Sequence, residues 1–404
     1  MSGRVHVVGG GVAGLAAALA AVRAGRAVVL HEATGQAGGR ARTVTPADGF
    51  HHDNGTHVLL TANRRALALL GSVGARERWI EPEADGLPVF DARNGRLARV
   101  GLSPLSWLKG SLRPEGLGLR DVVRLGAMAL PLPDRSILAA IGPRPIMDSL
   151  VEPLTVAVLN TPVAVASSRR LGRALRRVAM PGGARLLVAR DGLGPDLITP
   201  AVDALRRLGA EIRTGARLRA LAVENGRAAA LVFGAERVSL GPQDRVVLAL
   251  PPAEIKRLLP HLTVPDAFEP IVNAHFQVRG PALPRFVGLR GALSQWALAR
   301  HDHVSVTVSA AGDAAERDPD GLLAQIWSEI APAFAAAGVP LVRLAEARVV
   351  KEKRATIRQA AGPMPLPPER PLANLALAGD WLGDLPATIE SAVMSGERAA
   401  RLVG

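Results

Sequence analysis

A glycine cluster between an apolar strand and an apolar helix constrains this chain more than any other feature. The short run Arg4 to Val8 leads into glycines with G-x-G-x-x-G spacing, and an alanine- and leucine-rich stretch, Leu15 to Ala24, follows them. In a βαβ unit such glycines allow a tight turn, the approach of the backbone to a pyrophosphate and the packing of helix on strand. The N–H groups and the dipole at the helix start favour the same anion. The residues predicted to contact the ligand are Gly9, Gly11, Val12, Ala13 and Gly14.

A second strand ends in an acidic residue at the position that a dinucleotide requires. Ala27 to Leu30 is apolar, and Glu32 follows it, eighteen residues after Gly14. A carboxylate there can accept hydrogen bonds from a ribose. Strand, glycine turn, helix, strand and acid together favour a nucleotide site over a glycine-rich turn without a ligand. Glu32 and Ala33 are predicted to belong to that site.

The next two segments distinguish a flavin dinucleotide from a nicotinamide one. A second glycine-rich turn carries Gly38, Gly39 and Arg40, and a cationic turn of this kind can hold the remaining pyrophosphate charge by charge-assisted hydrogen bonds. A plain NAD domain lacks it. A polar run then follows, which is predicted to lie near the isoalloxazine ring, with an ordinary Asx turn as the alternative. This run consists of Asp53, Asn54, Gly55, Thr56 and His57.

Three blocks of the chain resemble the FAD-dependent amine oxidase and carotenoid desaturase superfamily, in its order and spacing. They are GGGVAGLAAA, GQAGGRARTV and the C-terminal LAGDW…PATIESAVMSG. The resemblance implies FAD as the cofactor and an α/β fold, in which a glutathione-reductase-like FAD-binding Rossmann domain carries an inserted mixed α+β substrate domain. It also implies that Gly379 and Asp380 close on the flavin. Asp380 can accept a hydrogen bond from the ribityl chain, and Ala387, Thr388 and Ile389 start a helix whose N–H groups point towards the flavin O2.

Four further blocks resemble a narrower branch, the squalene-associated FAD-dependent desaturases or hydroxysqualene dehydroxylases. They are DNGTHVLL, VLNTP, the QW pair at 295–296 and EKRAT. This resemblance spans nearly the whole chain, and it departs from the branch at Val12, at Thr56 and in the loop 382–385. It implies that reduced flavin delivers a hydride to hydroxysqualene, giving squalene and water.

Two alternatives to this reaction stay open at the level of the sequence. The first is an oxidative relative, either an isoprenoid (carotenoid or squalene) desaturase or an amine oxidase. The amine oxidase is disfavoured, because its site would need an aromatic cage at the flavin. This sequence has only 3% aromatic residues and no tyrosine from which to build one. The second is a flavin-bearing lipid-binding protein that has lost its chemistry.

Removal of a hydroxyl needs a proton for the departing oxygen and a group that stabilises the cationic carbon. The candidate acids are Lys353, Arg354, His57 and Asp53, with burial setting which of them titrates near neutrality. The indoles of Trp296 and Trp381 offer aromatic faces to positive charge. Asn160 either anchors the substrate hydroxyl or caps the turn before Pro162. A salt-bridged strand residue, paired with Glu352 or Glu346, is the alternative for Lys353.

The domain organisation follows from a coarse assignment of strands and helices. The FAD-binding domain is predicted from three segments, 1–59, 194–252 and 361–404. In the superfamily the strand at Leu218 meets the adenine through its backbone. A largely helical part, 60–193, and a part built of a sheet and a helix, 253–360, form the predicted substrate domain. No second G-x-G-x-x-G follows a strand, so electrons are expected from an unknown external donor.

Composition limits the partners of the chain. It has no cysteine, which excludes disulfides and thiolate metal sites, and no metal site is predicted. The net charge of +13 comes mainly from scattered arginines with no basic run or nucleic-acid module, so no nucleic-acid partner is predicted. The segment 102–138 alternates apolar residues with Lys109, Arg113, Arg120 and Arg124, which is typical of an interfacial segment on an anionic membrane; a helix packed on the core of the substrate domain is the equal alternative.

The predicted location is cytoplasmic, with peripheral contact at the inner face of the cell membrane. The glycine motif begins within ten residues of Met1, which leaves no room for a secretory signal. A long-chain isoprenoid alcohol is the substrate that the resemblance implies.

Overall fold

The computed structural model describes residues 3–47 and 49–404. Its strands are β1 Arg4–Val8, β2 Ala27–His31, β3 Thr43–Val44, β4 His52–Asp53, β5 Val58–Leu60, β6 Trp79–Ile80, β7 Leu87–Asp91, β8 Arg96–Val100, β9 Leu186–Ala189, β10 Glu211–Arg213, β11 Ala220–Glu224, β12 Arg227–Phe233, β13 Glu236–Ser239, β14 Arg245–Leu248, β15 Phe268–Arg279, β16 Arg285–Arg290, β17 Trp296–Ala299, β18 His303–Ser309, β19 Val342–Ile357 and β20 Leu375–Leu377.

Helices fill the connections between these strands. They are α1 Val12–Arg23, α2 Arg64–Ser72, α3 Leu119–Met128, α4 Ile137–Ile141, α5 Glu152–Leu159, α6 Ser168–Val178, α7 Thr199–Arg207, α8 Pro252–Leu258, α9 Gly312–Glu316, α10 Pro319–Ala336 and α11 Ile389–Val403. Short 3₁₀ turns cover Gly39–Ala41, Arg76–Arg78, Pro104–Leu108 and Gly110–Leu112, and π-helical turns cover Met147–Val151 and Gly194–Ile198. In the described part of the chain no helix is long and apolar enough to cross a membrane.

A parallel sheet of five strands forms the nucleotide-binding layer, in the order β10-β2-β1-β14-β20. Its strands come from chain segments that are far apart in sequence. Both faces of its central strands are buried, which explains why β1, β2, β14 and β20 are mainly apolar instead of alternating. One face, with Val7 and Val247, packs on α1 and α11. The other face, with Val8 and Val246, packs on β12 and α8.

A mixed sheet of seven strands forms the second layer, in the order β19-β15-β18-β17-β16-β7-β8. Its pairs are antiparallel except β16 with β7. One face packs on α10, whose Leu322, Ile326 and Ile330 recur every four residues and share a core with Phe276 and Val306. That spacing places the three side chains on one stripe of the helix.

A smaller helical layer covers one side of the molecule. It is built from α3 to α6 around Ile137, Ile141, Leu159 and Leu171. A three-stranded sheet, β5-β9-β6, shares a core with Phe286 and Leu298 of the seven-stranded sheet.

Candidate functional site

The turn from β1 into α1 forms an open cradle of backbone groups. Gly9 has φ +106°, in the left-handed region, and its N–H donates to His31 O at 2.7 Å. A Cβ on Gly14 would lie 1.8 Å from Gly9 O, so only glycine lets the helix sit this close to the turn. A Cβ on Gly11 would meet no described atom within 4 Å. The space in front of Gly11 is therefore free for a ligand.

The second glycine turn packs directly on the first. Gly38 N–H donates to Gly10 O at 2.8 Å, and Gly38 has φ +121°. A Cβ on Gly39 would lie 3.4 Å from the Cα of Gly11. The two glycine turns that the sequence marks thus form one continuous surface without side chains.

Glu32 lies at the end of β2 beside these turns and is buried. Its Oε2 accepts from Gly10 N–H at 2.7 Å, and its Oε1 accepts from Thr34 N–H at 2.8 Å and Thr34 Oγ1 at 2.9 Å. The carboxylate therefore holds the first glycine turn in place, and Ala33 follows it half-exposed. Contact of either residue with a ribose stays a prediction.

An ion pair joins the N-terminal turn to the C-terminal segment. Arg40 Nη2 lies 2.6 Å from Asp380 Oδ1, and Arg40 Nη1 donates to Ala355 O at 2.6 Å. The Asp380 carboxylate raises the pKa of Arg40, which keeps the guanidinium charged. Gly379 N–H donates to Ser395 Oγ at 3.1 Å, within α11. One arginine thus connects three distant parts of the chain at the predicted flavin site.

The start of α11 lies against the first helix. Thr388 is extended, and its Oγ1 accepts from Ser391 N–H at 3.4 Å at the N-terminus of the helix. Ala387 N–H donates to Gln359 Oε1 at 3.0 Å. A Cβ on Gly396 would lie 2.1 Å from Ala13 O, so α11 packs on α1 at the closest distance that the backbone allows. The helix begins at Ile389, two residues after the predicted start at Ala387, and Thr388 is its N-cap.

The polar run 53–57 lies against the seven-stranded sheet. A Cβ on Gly55 would lie 3.3 Å from Asn273 Nδ2, and His52 stacks on His275 with ring centroids 4.3 Å apart. Asn54 N–H donates to Arg42 O at 2.9 Å. The run therefore lies between the glycine turns and β15.

One face of the seven-stranded sheet looks towards this run. The strand registers place six residues in one row across that face, which we call the site row. The site row is Val350, Asn273, Thr307, Trp296, Gly288 and Val89. Successive strand residues point to opposite faces, and the intervening Ala274 and Val306 pack on α10. The site row therefore faces away from α10 and towards Gly55.

The site row has a polar pair, Asn273 and Thr307, next to Val350 on the edge strand, which we call its polar end, and an apolar part from Trp296 to Val89, which we call its apolar end. At the polar end Thr307 Oγ1 donates to Asn273 Oδ1 at 3.0 Å. At the apolar end Trp296 stacks on Phe286 with centroids 5.8 Å apart, in a cluster with Leu60. Such a wall suits a long apolar molecule that carries one polar group.

Two buried polar atoms of this region have no hydrogen-bond partner among residues 3–47 and 49–404. They are Thr56 Oγ1 and Trp296 Nε1. Buried polar atoms are normally hydrogen-bonded, so an orphaned one asks for a ligand or a water. Together with the open space at Gly11, these atoms fit a bound flavin and a bound polar substrate group.

His57 is neutral at neutral pH. Burial is the largest cause that lowers its pKa from the usual 6.5, and the nearby Arg40 lowers it further. His57 Nδ1 lies 3.1 Å from Gly55 O, and because a carbonyl only accepts, Nδ1 carries the hydrogen. Nε2 is then free to accept a hydrogen bond. As an acid, His57 works only when the pH falls towards its lowered pKa.

Lys353 and Arg354 do not reach the site, and their prediction as proton donors was wrong. Lys353 Nζ lies 2.8 Å from Glu316 Oε1, and the two side chains are 64% and 70% exposed. The Arg354 guanidinium lies over the ring of Phe268, exposed to solvent. The alternative for Lys353, a salt-bridged strand residue, holds, although its partner lies on α9 instead of within β19.

Asp53 is a structural carboxylate and not an available acid. Its Oδ1 accepts from Thr43 Oγ1 at 2.7 Å and from Leu193 N–H at 2.9 Å. Its Oδ2 lies 3.6 Å from Arg300 Nη2, and both side chains are buried. These bonds tie the loop before β5 to the chain around residue 193, so they leave the carboxylate no role at the substrate.

Asn160 is likewise committed to the fold. Its Oδ1 accepts from Ala310 N–H at 2.6 Å, and its Nδ2 donates to Glu269 O at 3.1 Å and to Thr356 Oγ1 at 3.0 Å. Both amide hydrogens and one lone pair of Oδ1 are thus used within the protein, and the anchoring of a substrate hydroxyl by Asn160 stays a prediction.

Trp381 and Leu218 differ from their predicted settings. Trp381 Nε1 donates to Leu250 O at 3.1 Å, and the indole lies beneath Gly379 in the core. It belongs to a different cluster from Trp296 and presents no face to the site row. Leu218 lies in the connection before β11 instead of a strand, and its carbonyl accepts from Arg257 Nη2 at 2.8 Å.

Three residues of the site were not predicted from the sequence. Asn273 and Thr307 form the polar end of the site row, and Gln359 holds both Ala387 and Leu159. The alternation in 272–278 was a usable signal, because Asn273 and His275 interrupt the apolar residues at every second position. Gln359 gave no signal, since its partners are backbone groups from distant segments.

The comparisons with known proteins agree with this geometry. The family described as flavin containing amine oxidoreductase matches residues 12–404. The chain is 38% identical to the hydroxysqualene dehydroxylase of Rhodopseudomonas palustris, over 100% of this chain and 99% of that protein. It is 33% identical to the hydroxysqualene dehydroxylase of Zymomonas mobilis, over 98% of each. Cyclohexylamine oxidase from Brevibacterium oxydans shares the fold, with a TM-score of 0.72 and 13% identity over 100% of this chain and 99% of that one.

The fold, the two glycine turns and the family match define the class: the chain is an FAD-dependent oxidoreductase of the flavin-containing amine oxidoreductase family. Within that family it belongs to the hydroxysqualene dehydroxylases, since its relatives of that name match along their whole length. The resemblance, the fold class and the FAD cofactor that the sequence predicted are thereby confirmed.

Proposed function

We propose that this enzyme removes the hydroxyl group of hydroxysqualene and gives squalene and water. The observation that carries the proposal is the site row. Its polar end lies beside the run 53–57, which is predicted to lie near the isoalloxazine ring, and its apolar wall is formed by Trp296 and Phe286. The full-length relatives named hydroxysqualene dehydroxylase support this choice of substrate.

In the overall reaction a C–O bond breaks and a C–H bond forms at the same carbon. The carbon gains two electrons, and the departing oxygen takes up a proton to leave as water. Reduced FAD, when bound, supplies the hydride. The two electrons reach this site from a donor outside the chain, whose identity stays open.

The residues of the chain bind, orient and desolvate the substrate. The glycine turns with Arg40 and Asp380 are the residues that would hold the pyrophosphate and ribityl parts of FAD. The orphaned hydroxyl of Thr56 and the free Nε2 of His57 are suited to the substrate hydroxyl, as donor and as acceptor. The apolar end excludes water, which strengthens each polar contact inside.

We propose further that the enzyme is cytoplasmic and works in peripheral contact with an anionic membrane. Squalene and its alcohol are apolar chains that partition into lipid, so a membrane surface is where substrate and product are found.

An anaerobic single-turnover experiment tests the reaction. FAD-loaded protein is reduced with dithionite, mixed with hydroxysqualene, and followed for flavin absorbance and for product. We expect stoichiometric squalene together with reoxidised flavin. A flavin that stays reduced in the presence of the alcohol would contradict the proposal and favour an oxidative desaturase.

Two variants connect the reaction to the site row. Trp296→Ala removes the aromatic part of the apolar wall and should slow the single turnover roughly tenfold, which corresponds to about 1.4 kcal/mol of lost transition-state stabilisation. Leu283→Ser is the control, because Leu283 is 64% exposed and lies outside the site. Equal single-turnover rates in the two variants would show that Trp296 of the site row does not contribute to the reaction.

A further inference from the structure

Exposed apolar side chains are concentrated in one short segment of the helical layer. Of the fifteen large apolar side chains that are exposed in the described structure, eight lie between residues 105 and 138. We call these eight residues the outer patch. They are Leu105, Leu108, Leu119, Val122, Val123, Leu130, Leu132 and Leu138. A patch this concentrated marks an interaction surface, because single exposed apolar residues are normally scattered.

Helix α3 shows that the exposure is built into the sequence. Its inward positions Asp121, Leu125 and Met128 are buried, whereas Leu119 is 80% exposed and Val123 is 64% exposed. A helix that packs only on the core would place polar residues at these outward positions. Helix α3 therefore has two apolar faces, of which one has no partner in the described chain.

A cationic cavity lies beside the outer patch. It has a volume of about 360 Å³, and its walls include Leu130 and Leu132 of the patch and three arginines of α6, Arg169, Arg173 and Arg176. We call this cavity the arginine pocket. A second cavity of about 190 Å³ shares Leu130, Leu132 and Arg169 with it.

The arginine pocket has a net positive charge, because three arginines stand against two acids. Arg173 pairs with Asp384 at 2.8 Å, an acid that is 64% exposed. The ion pairs of residues 3–47 and 49–404 include none to Arg169 or Arg176. The carboxylate of Asp134 lies beside the pocket, where it accepts from Ser167 Oγ at 2.9 Å and from the backbone N–H of Arg169 at 3.0 Å.

We propose that the outer patch and the arginine pocket together form a docking surface for an anionic phospholipid bilayer. The leucines and valines enter the boundary between headgroups and acyl chains, and the arginine pocket receives a lipid phosphate. Guanidinium groups bind phosphate oxygens in a bidentate manner, and the apolar floor of the pocket suits the adjoining glycerol and acyl carbons. Arg176 Nη2 donates to Ala129 O and Arg173 pairs with Asp384, so the guanidinium groups are held in place at the pocket wall. A protein partner would not need this combination of exposed leucines with arginines of which two have no ion-pair partner among residues 3–47 and 49–404.

Helix α6 connects this surface to the C-terminal segment 379–390, which is predicted to close on the flavin. On its inner side Arg170 is buried and donates to Leu385 O at 2.8 Å and to Gly383 O at 3.1 Å. Arg177, one turn beyond the pocket-lining Arg173, lies 3.3 Å from Glu390 in α11. The docked lipid therefore lies one helix away from the C-terminal flavin segment.

Vesicle co-sedimentation of the FAD-loaded full chain, without substrate, tests the proposal. The vesicles are phosphatidylcholine alone, or phosphatidylcholine with phosphatidylglycerol. We expect binding to the anionic vesicles that weakens with salt. The double variant Arg169→Gln with Arg176→Gln should weaken the dissociation constant about thirtyfold, and Leu108→Ser with Leu119→Ser roughly tenfold.

Matched controls distinguish binding through this surface from non-specific binding that depends on total charge or on any exposed apolar residue. Arg207→Gln and Leu283→Ser alter exposed residues outside the surface and should leave binding unchanged. Equal binding to both kinds of vesicle, or equal binding of the two double variants and the wild type, would overturn the proposal. A dimer in sedimentation velocity that the leucine variant abolishes, without vesicle binding by the wild type, would also overturn it. Because no substrate is present, these outcomes are independent of the proposed reaction.

Discussion

Asn160 has a left-handed backbone conformation at the C-terminus of α5, with φ 46° and ψ 41°. Its amide holds Ala310 from one side and Glu269 and Thr356 from the other. Asparagine tolerates this conformation better than most residues, because its short polar side chain can bond locally. One residue thus joins the helical layer to both β15 and β19.

Asn160→Ala should lower the free energy of unfolding by about 3 kcal/mol. About 1–2 kcal/mol comes from a Cβ residue without a polar side chain in the left-handed region. The rest comes from the buried Ala310 N–H, which would lose its acceptor. Urea unfolding of the purified variant measures the loss.

Asn160→Gly is the matched control, since glycine keeps the left-handed backbone but lacks the amide. It should be roughly 1 kcal/mol more stable than Asn160→Ala. Wild-type stability of both variants, together with a raised KM for the substrate, would instead support the anchoring role of Asn160.

At the scale of elements, the turn from β1 into α1 separates a requirement of the fold from a requirement of the ligand. Gly14 is needed by the protein itself, because a Cβ would collide with Gly9 O at 1.8 Å. Gly11 is not required by the fold, because a Cβ there meets no described atom within 4 Å, so the requirement for glycine comes from the ligand. The same motif therefore contains two glycines with different physical reasons.

Gly11→Ala should fold normally and lose affinity for FAD. The Cβ enters the space that the pyrophosphate requires, and overpacking of about 1–3 kcal/mol corresponds to a dissociation constant raised roughly 10- to 100-fold. Titration of the apoprotein with FAD, followed by flavin fluorescence, measures the affinity, and circular dichroism reports the melting temperature.

Gly14→Ala provides the contrast, with a lowered melting temperature even without FAD. Should Gly11→Ala bind FAD as tightly as the wild type, the space in front of Gly11 would lie outside the cofactor site.

The sequence allowed the elements around the flavin to be predicted because their signals are local. The strand, the glycine spacing and the acid at Glu32 lie within one short stretch, and each has a backbone reason.

The catalytic side was predicted less well because it depends on contacts between distant segments. Lys353 and Arg354 belong to a motif-like block, but both side chains are exposed, and β19 has buried residues only from Ala355 onwards. Asp53 and Asn160 look available in the sequence, and partners far along the chain occupy them. Pairing partners at such separations leave no local pattern to read.

At the scale of the whole molecule, five buried or partly buried histidines share one property. Burial is the largest cause that lowers the pKa of each, and these residues are His6, His31, His52, His57 and His275. The chain has nine histidines, so most of them are kept neutral by the fold. His31, stacked on Phe233 with centroids 4.4 Å apart, has its pKa lowered to about 3.

This set makes stability fall in mild acid. A histidine with a lowered pKa binds no proton in the folded state, whereas the unfolded chain binds one below the ordinary value of about 6.5. The free energy of unfolding is therefore highest above that value and decreases as the pH falls towards the folded pKa. For His31 alone the window extends from 6.5 to about 3.

His31→Gln should remove one proton from this linkage. Between about pH 4 and 6 the slope of the free energy of unfolding against pH should become smaller by about 1.4 kcal/mol per pH unit, the value for one proton. Urea unfolding at several pH values measures the slope, and His261→Gln, an exposed position, is the control that should keep the wild-type slope. An unchanged slope in His31→Gln would mean that His31 takes up its proton in the folded state, against the burial that surrounds it.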